Sequence, residues 1–189
     1  MDEFYYCRHG QTVDLTTGHR SRCDTELTRK GLNEASKAGR LLLRRKITPS
    51  LIVSSKLIRA RQSADAIARV LGYDISHIKS LELLNERRWG EAEGVLNTEI
   101  KDRWPGGFDT VPGAETVEAL QERAFRAVDE LQGLDAGVVL VVGHGTIGRA
   151  IRRVLEKRKI ADEYSGERGD LKNGEVVRLF PQPTMTLDS

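Results

Sequence analysis

Val138-Val139-Leu140-Val141-Val142-Gly143-His144-Gly145-Thr146 decides the architecture. The first five residues are apolar without a break, and four of them are valine. A strand with one wet face alternates apolar and polar residues. An unbroken run fits a strand covered on both faces, as in parallel sheets flanked by helices. The run ends at a glycine and leads directly into a predicted helix, Thr146 to Lys157. Upstream, Glu115 to Gln132 reads as a helix, with Val117, Leu120, Ala124, Val128 and Leu131 on one face. Downstream, Asn173-Gly174 is a turn signal before a last strand, Glu175 to Phe180.

The amino-terminal half repeats the alternation. Phe4 to Arg8 is a β-prone run that stops at a glycine. Leu27 to Lys46 reads as a helix capped by Thr28, with Leu32, Ala35, Leu42 and Leu43 at helical spacing. Pro49 breaks it, and Leu51 to Ser54 is a compact strand. Leu57 to Leu71 is a second helix, striped by Ala60, Ala64, Ile67, Ala68 and Leu71 and stopped by Gly72. Asp74 to Ile78 is expected to add a short strand. From Leu81 to Pro112 the pattern loosens around Trp89, Trp104 and many turn-formers, as in a lid or binding loop. Both tryptophans are expected as half-buried anchors. Strand and helix in alternation predict an α/β fold, a three-layer α/β/α sandwich around a mostly parallel central sheet. A length of 189 residues suits one domain spanning 1–189, with a mobile tail from about residue 182.

Composition excludes several classes. Hydrophobic residues make up 39% and charged residues 31%, a globular balance. No apolar run approaches the roughly 20 residues of a membrane-spanning helix. Residues 1–7 show no basic stretch followed by an apolar one, so a cytoplasmic protein is expected. Two cysteines, Cys7 and Cys23, make no disulfide scaffold, and no Cys/His cluster suggests zinc. A net charge of +2 and 5% aromatic residues give no footing for nucleic acid. The basic clusters Arg44-Arg45-Lys46, Arg152-Arg153 and Lys157-Arg158-Lys159 read as solvated helix faces.

In such folds ligands bind beyond the carboxyl ends of the strands. Two histidines stand there in parallel fashion. The first strand ends in Arg8-His9-Gly10-Gln11-Thr12, and the buried strand ends in Gly143-His144-Gly145-Thr146. Each histidine precedes a glycine, which allows close approach of a ligand to the backbone. His144 opens a helix, whose free N–H groups favour an anion. Arg59 lies one turn into the helix after Leu51 to Ser54. Arg8, His9, Arg59 and His144 can therefore converge at one sheet edge. Arginine forks match phosphate oxygens, and an unprotonated histidine among them can attack phosphorus. The leaving oxygen needs a proton, and Glu86 in the irregular segment is the candidate donor. Two histidines and a carboxylate could instead hold a divalent ion, but Arg8 and Arg59 would repel it and no H-E-x-x-H spacing exists.

Arg8-His9-Gly10-Gln11-Thr12 resembles the R-H-G-[EQ]-T signature of the histidine phosphatase superfamily, the phosphoglycerate-mutase-like group. Leu27-Thr28 with Gly31 and Ala35 is similar to its L-T-x-x-G-x-x-Q-A block, and Ser55 to Ala64 to its S-x-L-x-R-A-x-Q-T-A block. Leu84-Asn85-Glu86 with Gly90, Glu93 and Gly94 resembles L-x-E…G-x-x-E-G. Pro112-Gly113-Ala114-Glu115 stands where the family often has P-G-G-E, and Gly143-His144-Gly145 matches its second histidine motif. Asn173-Gly174 matches the turn before its last strand. The resemblance implies a phosphoglycerate mutase-like fold with His9 as the nucleophile that becomes phosphohistidine. Arg8, Arg59 and His144 would bind the phosphoryl group, and Glu86 would act as general acid, then base. Gln11, Thr12 and the Gly145 backbone N–H would add phosphate contacts. No metal or organic cofactor is implied.

The chain departs from the family pattern at Thr12-Val13-Asp14-Leu15, where Asp14 brings a negative charge toward the pocket. The reading is a metal-independent phosphomonoesterase acting on a small phosphorylated metabolite or a phosphorylated residue, as monomer or homodimer. No role with nucleic acid or membrane is expected. The alternatives are a phosphoglycerate-type mutase and an inactive phosphate-binding scaffold. Only 28 residues separate Glu86 from Glu115, which favours the phosphatase over the longer mutases.

Overall fold

The computed structural model describes residues 3–156 and 171–180. Strands β1 (Glu3–Arg8), β2 (Leu51–Ser54), β3 (Lys79–Ser80), β4 (Val138–Gly143) and β5 (Val176–Phe180) form one sheet in the order β3-β2-β4-β1-β5. β5 runs antiparallel to β1, and the other pairings are parallel. The apolar run lies at the centre, with β1 on one side and β2 on the other. Helices α1 (Val13–Thr16), α2 (Arg29–Arg44), α3 (Ile58–Leu71), α4 (Asn97–Arg103), α5 (Val117–Gln132) and α6 (Gly145–Leu155) complete the fold.

The sheet's pleat splits each strand between two cores. Phe4, Tyr6, Val139 and Val141 pack with Leu120, Ala124 and Leu131 of α5 and Ile147 and Ile151 of α6. Tyr5, Cys7, Leu140 and Val142 pack with Ala35, Ala38 and Leu42 of α2 and Ala64 and Ile67 of α3. This is the three-layer α/β/α sandwich, and the unbroken run is apolar because β4 feeds both cores. Burial pushes the Cys7 thiol up to about 12, as suits an inert core residue, while Cys23 is exposed.

Some elements differ from expectation. On α2, Ala35, Ala38 and Leu42 are buried, but Leu32 and Leu43 are exposed. At 100° per residue they sit about 60–80° round from Ala35, outside a narrow stripe of small residues. That stripe brings α2 close to α3, so close that a Cβ on Gly39 would lie 2.9 Å from Val70. Asp74 to Ile78 is not a strand. Asp74 Oδ1 accepts the Ser76 N–H and hydroxyl at 2.9 and 2.8 Å, and this Asx turn winds Ile75–His77 into a 3₁₀ turn. Only Lys79–Ser80 pair with β2.

Residues 81–112 are less irregular than the sequence suggests. They hold α4 and three 3₁₀ turns; the last two turns and α4 surround a small core of Trp89, Ala92, Ile100 and Val111, while Leu84 of the first joins the core beneath α5. Trp89 is buried rather than half-buried, while Trp104 is partly exposed. This segment is tied to the loop after β1 by Arg20 N–H to Val95 O (2.8 Å) and Gly94 N–H to Arg20 O (2.8 Å). Thr28 caps α2 as expected, accepting from the Gly31 N–H at 3.0 Å. The predicted end of α6 at Lys157, the cluster 157–159 and the tail past residue 181 lie outside the described residues. Among the described residues no helix is long and apolar enough to cross a membrane.

Neighbouring strands β1 and β4 send their chains to opposite faces, β1 toward α2 and β4 into α6. Diverging connections open a crevice at the carboxyl ends of the pair.

Candidate active site

β1 and β4 end side by side. Arg8 is opposite Gly143 in the register, and the His9 N–H donates to Gly143 O at 2.9 Å. The two imidazoles face each other across this join, ring centroids 5.0 Å apart. His9 is buried, and its Nδ1 lies 2.7 Å from Gly10 O. A carbonyl oxygen only accepts, so Nδ1 carries the hydrogen and Nε2 keeps its lone pair. Burial first, then the Arg59 and Arg8 charges, hold the His9 imidazole well below the usual histidine range. The ring is therefore neutral at physiological pH. Dehydration is the larger cause, and the two flanking positive charges add to it.

The loop after β1 is fixed from several sides. Gly10 and Gly31 lie back to back: a Cβ on Gly10 would come within 2.1 Å of Gly31 O, and one on Gly31 within 2.1 Å of Gln11 O. The Gln11 N–H donates to Glu34 (2.8 Å) and the Gly10 N–H to Ser63 Oγ (3.1 Å). The Asn173 side chain donates to His9 O at 3.0 Å, and the Gly174 N–H to Arg8 O at 3.0 Å. The turn signal at Asn173-Gly174 thus also clamps the candidate nucleophile.

His144 is fully buried. Its Nε2 lies 2.8 Å from Ser55 Oγ, whose single hydrogen goes to Asn85 Oδ1 at 2.9 Å. His144 Nε2–H must then be the donor to Ser55. Nδ1 is left buried without a partner among the described residues. Burial, Arg59 and His9 hold this imidazole too well below the usual range. Tyr6 fixes the backbone: its hydroxyl donates to His144 O and accepts the His144 N–H, each at 2.8 Å.

Arg59 is buried, with Nη1 donating to Arg22 O (2.8 Å) and Cys23 O (3.3 Å). Arg8 Nη1 donates to Leu171 O at 2.7 Å. The Nε atoms of both arginines are buried and, like His144 Nδ1, have no partner among the described residues. An unmet buried donor costs about 1–3 kcal/mol, and such a cost persists where a ligand supplies the partner. Asp14, the departure from the family pattern, is neutralised by Arg22, which donates to it from both its backbone N–H and its guanidinium at 2.8 Å.

The Glu86 carboxylate is brought to the same edge. It accepts the N–H groups of Thr146 (3.2 Å), Ile147 (3.1 Å) and Arg87 (2.9 Å), so it caps α6 beside His144. The Gly148 N–H goes to His144 O at 3.1 Å, which leaves the Gly145 N–H as the helix-start donor without a partner among the described residues. Gln11 Oε1 accepts from Thr28 Oγ1 at 3.1 Å, so its amide NH₂ end is the one left for a ligand. Thr12 is wholly buried, and its hydroxyl caps α1 by accepting the Leu15 N–H at 3.4 Å. Among the described residues no three His, Cys, Asp or Glu side chains are grouped as ligands of a metal would be.

The chain matches the histidine phosphatase superfamily (branch 1) over residues 4–182. It belongs to that superfamily. Curated relatives of this histidine phosphatase superfamily member include the 2,3-bisphosphoglycerate-dependent phosphoglycerate mutases of Bradyrhizobium diazoefficiens and Rhizobium etli. The first is 32% identical over 79% of this chain and 79% of its own length. The second is 29% identical over 88% and 86%. Among solved structures, mycobacterial glucosyl-3-phosphoglycerate phosphatase in complex with VO3 superposes with a TM-score of 0.79 at 26% identity, over 94% of this chain and 90% of that one. The phosphoglycerate mutase of Thermus thermophilus gives 0.71 at 29%, over 97% and 96%.

Sequence reasoning missed Tyr6, Ser55 and Asn85, which orient His144, and Asn173, which holds His9. Asn85 adjoins Glu86 in a quoted block, so its polar side chain was a usable signal. Tyr6 offered none, since an aromatic residue inside a strand reads as core.

Proposed function

We propose that this superfamily member is a metal-independent phosphomonoesterase working through a phosphohistidine at His9. One observation carries the reading: a neutral His9 whose Nδ1–H is spent on Gly10 O, leaving the Nε2 lone pair among Arg8, Arg59 and His144. Nε2 attacks phosphorus, a P–N bond forms and the P–O bond to the leaving group breaks. Glu86 gives that oxygen its proton. Water then attacks phosphorus as Glu86 takes its proton, the P–N bond breaks, and His9 returns neutral. Arg8, Arg59 and the Gly145 N–H carry the charge on the phosphoryl oxygens, with the Gln11 amide at the rim. His144 donates from Nδ1 once the bound anion has raised its proton affinity.

The substrate is a monoester of a small metabolite or of a phosphorylated side chain. The span from β1 to β5 acts as one catalytic domain. Hydrolysis is preferred to mutase transfer because only 28 residues separate Glu86 from Glu115, fewer than in the longer mutases.

The test is turnover of p-nitrophenyl phosphate in excess EDTA, wild type beside His9→Ala. The wild type should turn over, and the variant should lose at least about 10³-fold. Alkaline denaturation during turnover, which preserves a P–N bond, should leave phosphate on the wild-type chain and none on the variant. Binding of orthovanadate without turnover of any monoester would instead support an inactive scaffold. Transfer from 2,3-bisphosphoglycerate to 3-phosphoglycerate faster than hydrolysis would support a mutase. Activity abolished by EDTA would overturn the mechanism.

A further inference from the structure

Glu86 is held at two ends. Its carboxylate is fixed by the α6 N–H groups, and its backbone is fixed by a device in a different layer. Arg123, on α5, donates through Nη1 to Leu83 O and to Asn85 O, each at 2.7 Å, and approaches Glu86 O through Nη2 at 3.5 Å. The guanidinium is itself held by a fork-to-fork pair with Glu115, Nε to Oε1 at 2.8 Å and Nη2 to Oε2 at 2.7 Å. Glu115 in turn accepts the Arg88 N–H at 3.4 Å with its carboxylate and Arg87 Nε at 2.7 Å with its backbone oxygen. The strip Leu83 to Arg88 is therefore bonded to this pair on both sides of Glu86. From the opposite side, Asn85 Oδ1 takes the Ser55 hydroxyl and the Lys56 N–H at 2.9 and 3.0 Å, which joins the same strip to His144.

We propose that Arg123 and Glu115 are positioning residues that set where the Glu86 carboxyl meets the leaving oxygen. The proposal rests on the role given to Glu86 above. Glu115 is 6% exposed and the Arg123 side chain 18%. A dehydrated ion pair is weak evidence of stability, because apolar residues of the same volume often serve as well. What an apolar pair cannot do is bind three carbonyls of one strip in fixed geometry. A guanidinium fork does so, and a lysine ammonium reproduces only part of it. The P-G-A-E block at 112–115 gains a purpose here, since its glutamate anchors the arginine that anchors the acid. Neither side chain is hydrogen-bonded to Arg8, His9 or Arg59, and the link to His144 runs indirectly through Asn85 and Ser55, so the device should act more on leaving-group protonation than on phosphate binding.

The test separates those two steps. Second-order rate constants (kcat/KM), which cover events up to leaving-group departure, are measured for p-nitrophenyl phosphate and for β-glycerol phosphate. Nitrophenolate leaves without a proton, whereas a glycerol alkoxide does not. In Arg123→Met the constant for glycerol phosphate should fall about 30-fold or more, within the range expected of a misplaced general acid. That for p-nitrophenyl phosphate should fall less than about 3-fold, and inhibition by orthovanadate should weaken by no more than that. Glu115→Gln should show the same selectivity in smaller degree, and Arg123→Lys should recover part of the loss. Should Arg123→Met fail to fold, these two variants carry the same prediction. An equal fall for both substrates, tracking the loss of thermal stability, would reduce the pair to a structural role and overturn the proposal. So would no fall in either. If wild-type protein forms no phosphoenzyme at His9, the phosphatase reading itself has failed, a result visible without any Arg123 variant.

Discussion

Tyr6 carries more of the site than its place inside β1 suggests. Its buried hydroxyl is both donor and acceptor to the backbone of His144, and burial raises its pKa far above the ordinary phenol value, so it stays protonated. The ring fits because Gly143 and Gly148 have no side chains; a Cβ there would come within 2.3 and 2.6 Å of it. Tyr6→Phe keeps the shape and removes one oxygen. The His144 N–H is then buried without a partner, which should cost about 1–3 kcal/mol of stability in urea unfolding. Orthovanadate inhibition should weaken about 3- to 30-fold as His144 loses its fixed position. Unchanged inhibition would show that Ser55 alone orients the ring. Arg8, His9, Arg59, Glu86 and His144 were legible because they sit in short motifs that chemistry ties to phosphate. Tyr6 was not, since its partner lies far along the chain and only the parallel β1–β4 register brings the two together.

The start of α2 shows two elements in competition. Gly31 lies in the first turn, where replacing glycine by alanine would ordinarily strengthen a helix by up to about 1 kcal/mol. Here a Cβ would come within 2.1 Å of Gln11 O, a rigid backbone atom. The clash should win. Gly31→Ala is expected to lose stability by about 2 kcal/mol or more, and to cost activity by moving the His9 loop, measured as urea midpoint and turnover together. A gain in stability with full activity would show that the helix start yields instead of the loop. Elements were legible where one physical signal dominated, as in the continuous apolar run of β4 or the stop at Gly72, whose φ is +68°. They were misread where a local side chain competed with the backbone pattern. Asp74 captures two groups of Ser76 and turns an apparent strand into a 3₁₀ turn. Leu32 and Leu43 looked like core because apolar character was counted and the width of an Ala/Gly stripe was not. Trp89 is buried because Arg20 and Arg87 stack on it at 4.5 and 5.3 Å, a contact between loops that sequence spacing does not encode.

At the scale of the whole molecule, building this crevice costs stability that depends on pH. The fold dehydrates two imidazoles 5.0 Å apart, beside Arg59 and Arg8, and both are held well below the usual histidine range. In the unfolded chain each titrates near about 6.5. Above that pH neither state binds a proton at these sites, and they contribute no pH dependence. Below it the unfolded chain binds two protons that the native protein refuses. Stability should then fall with falling pH, at up to about 2.7 kcal/mol per pH unit from the pair, until the native pKa values are reached. Unfolding in urea between pH 7.5 and 5 should show this slope in the ligand-free protein. A His9→Gln/His144→Gln double variant should lose most of it, because no imidazole remains to be charged. Saturating orthophosphate should also flatten it, since a bound anion favours a proton on His144 Nδ1 and so lets the native state take one up. If the double variant keeps the full slope, the acid sensitivity arises elsewhere and the crevice is less dehydrated than its geometry implies. If the slope disappears in the variant but phosphate leaves the wild type unchanged, the two histidines are dehydrated as described while the anion binds without engaging His144.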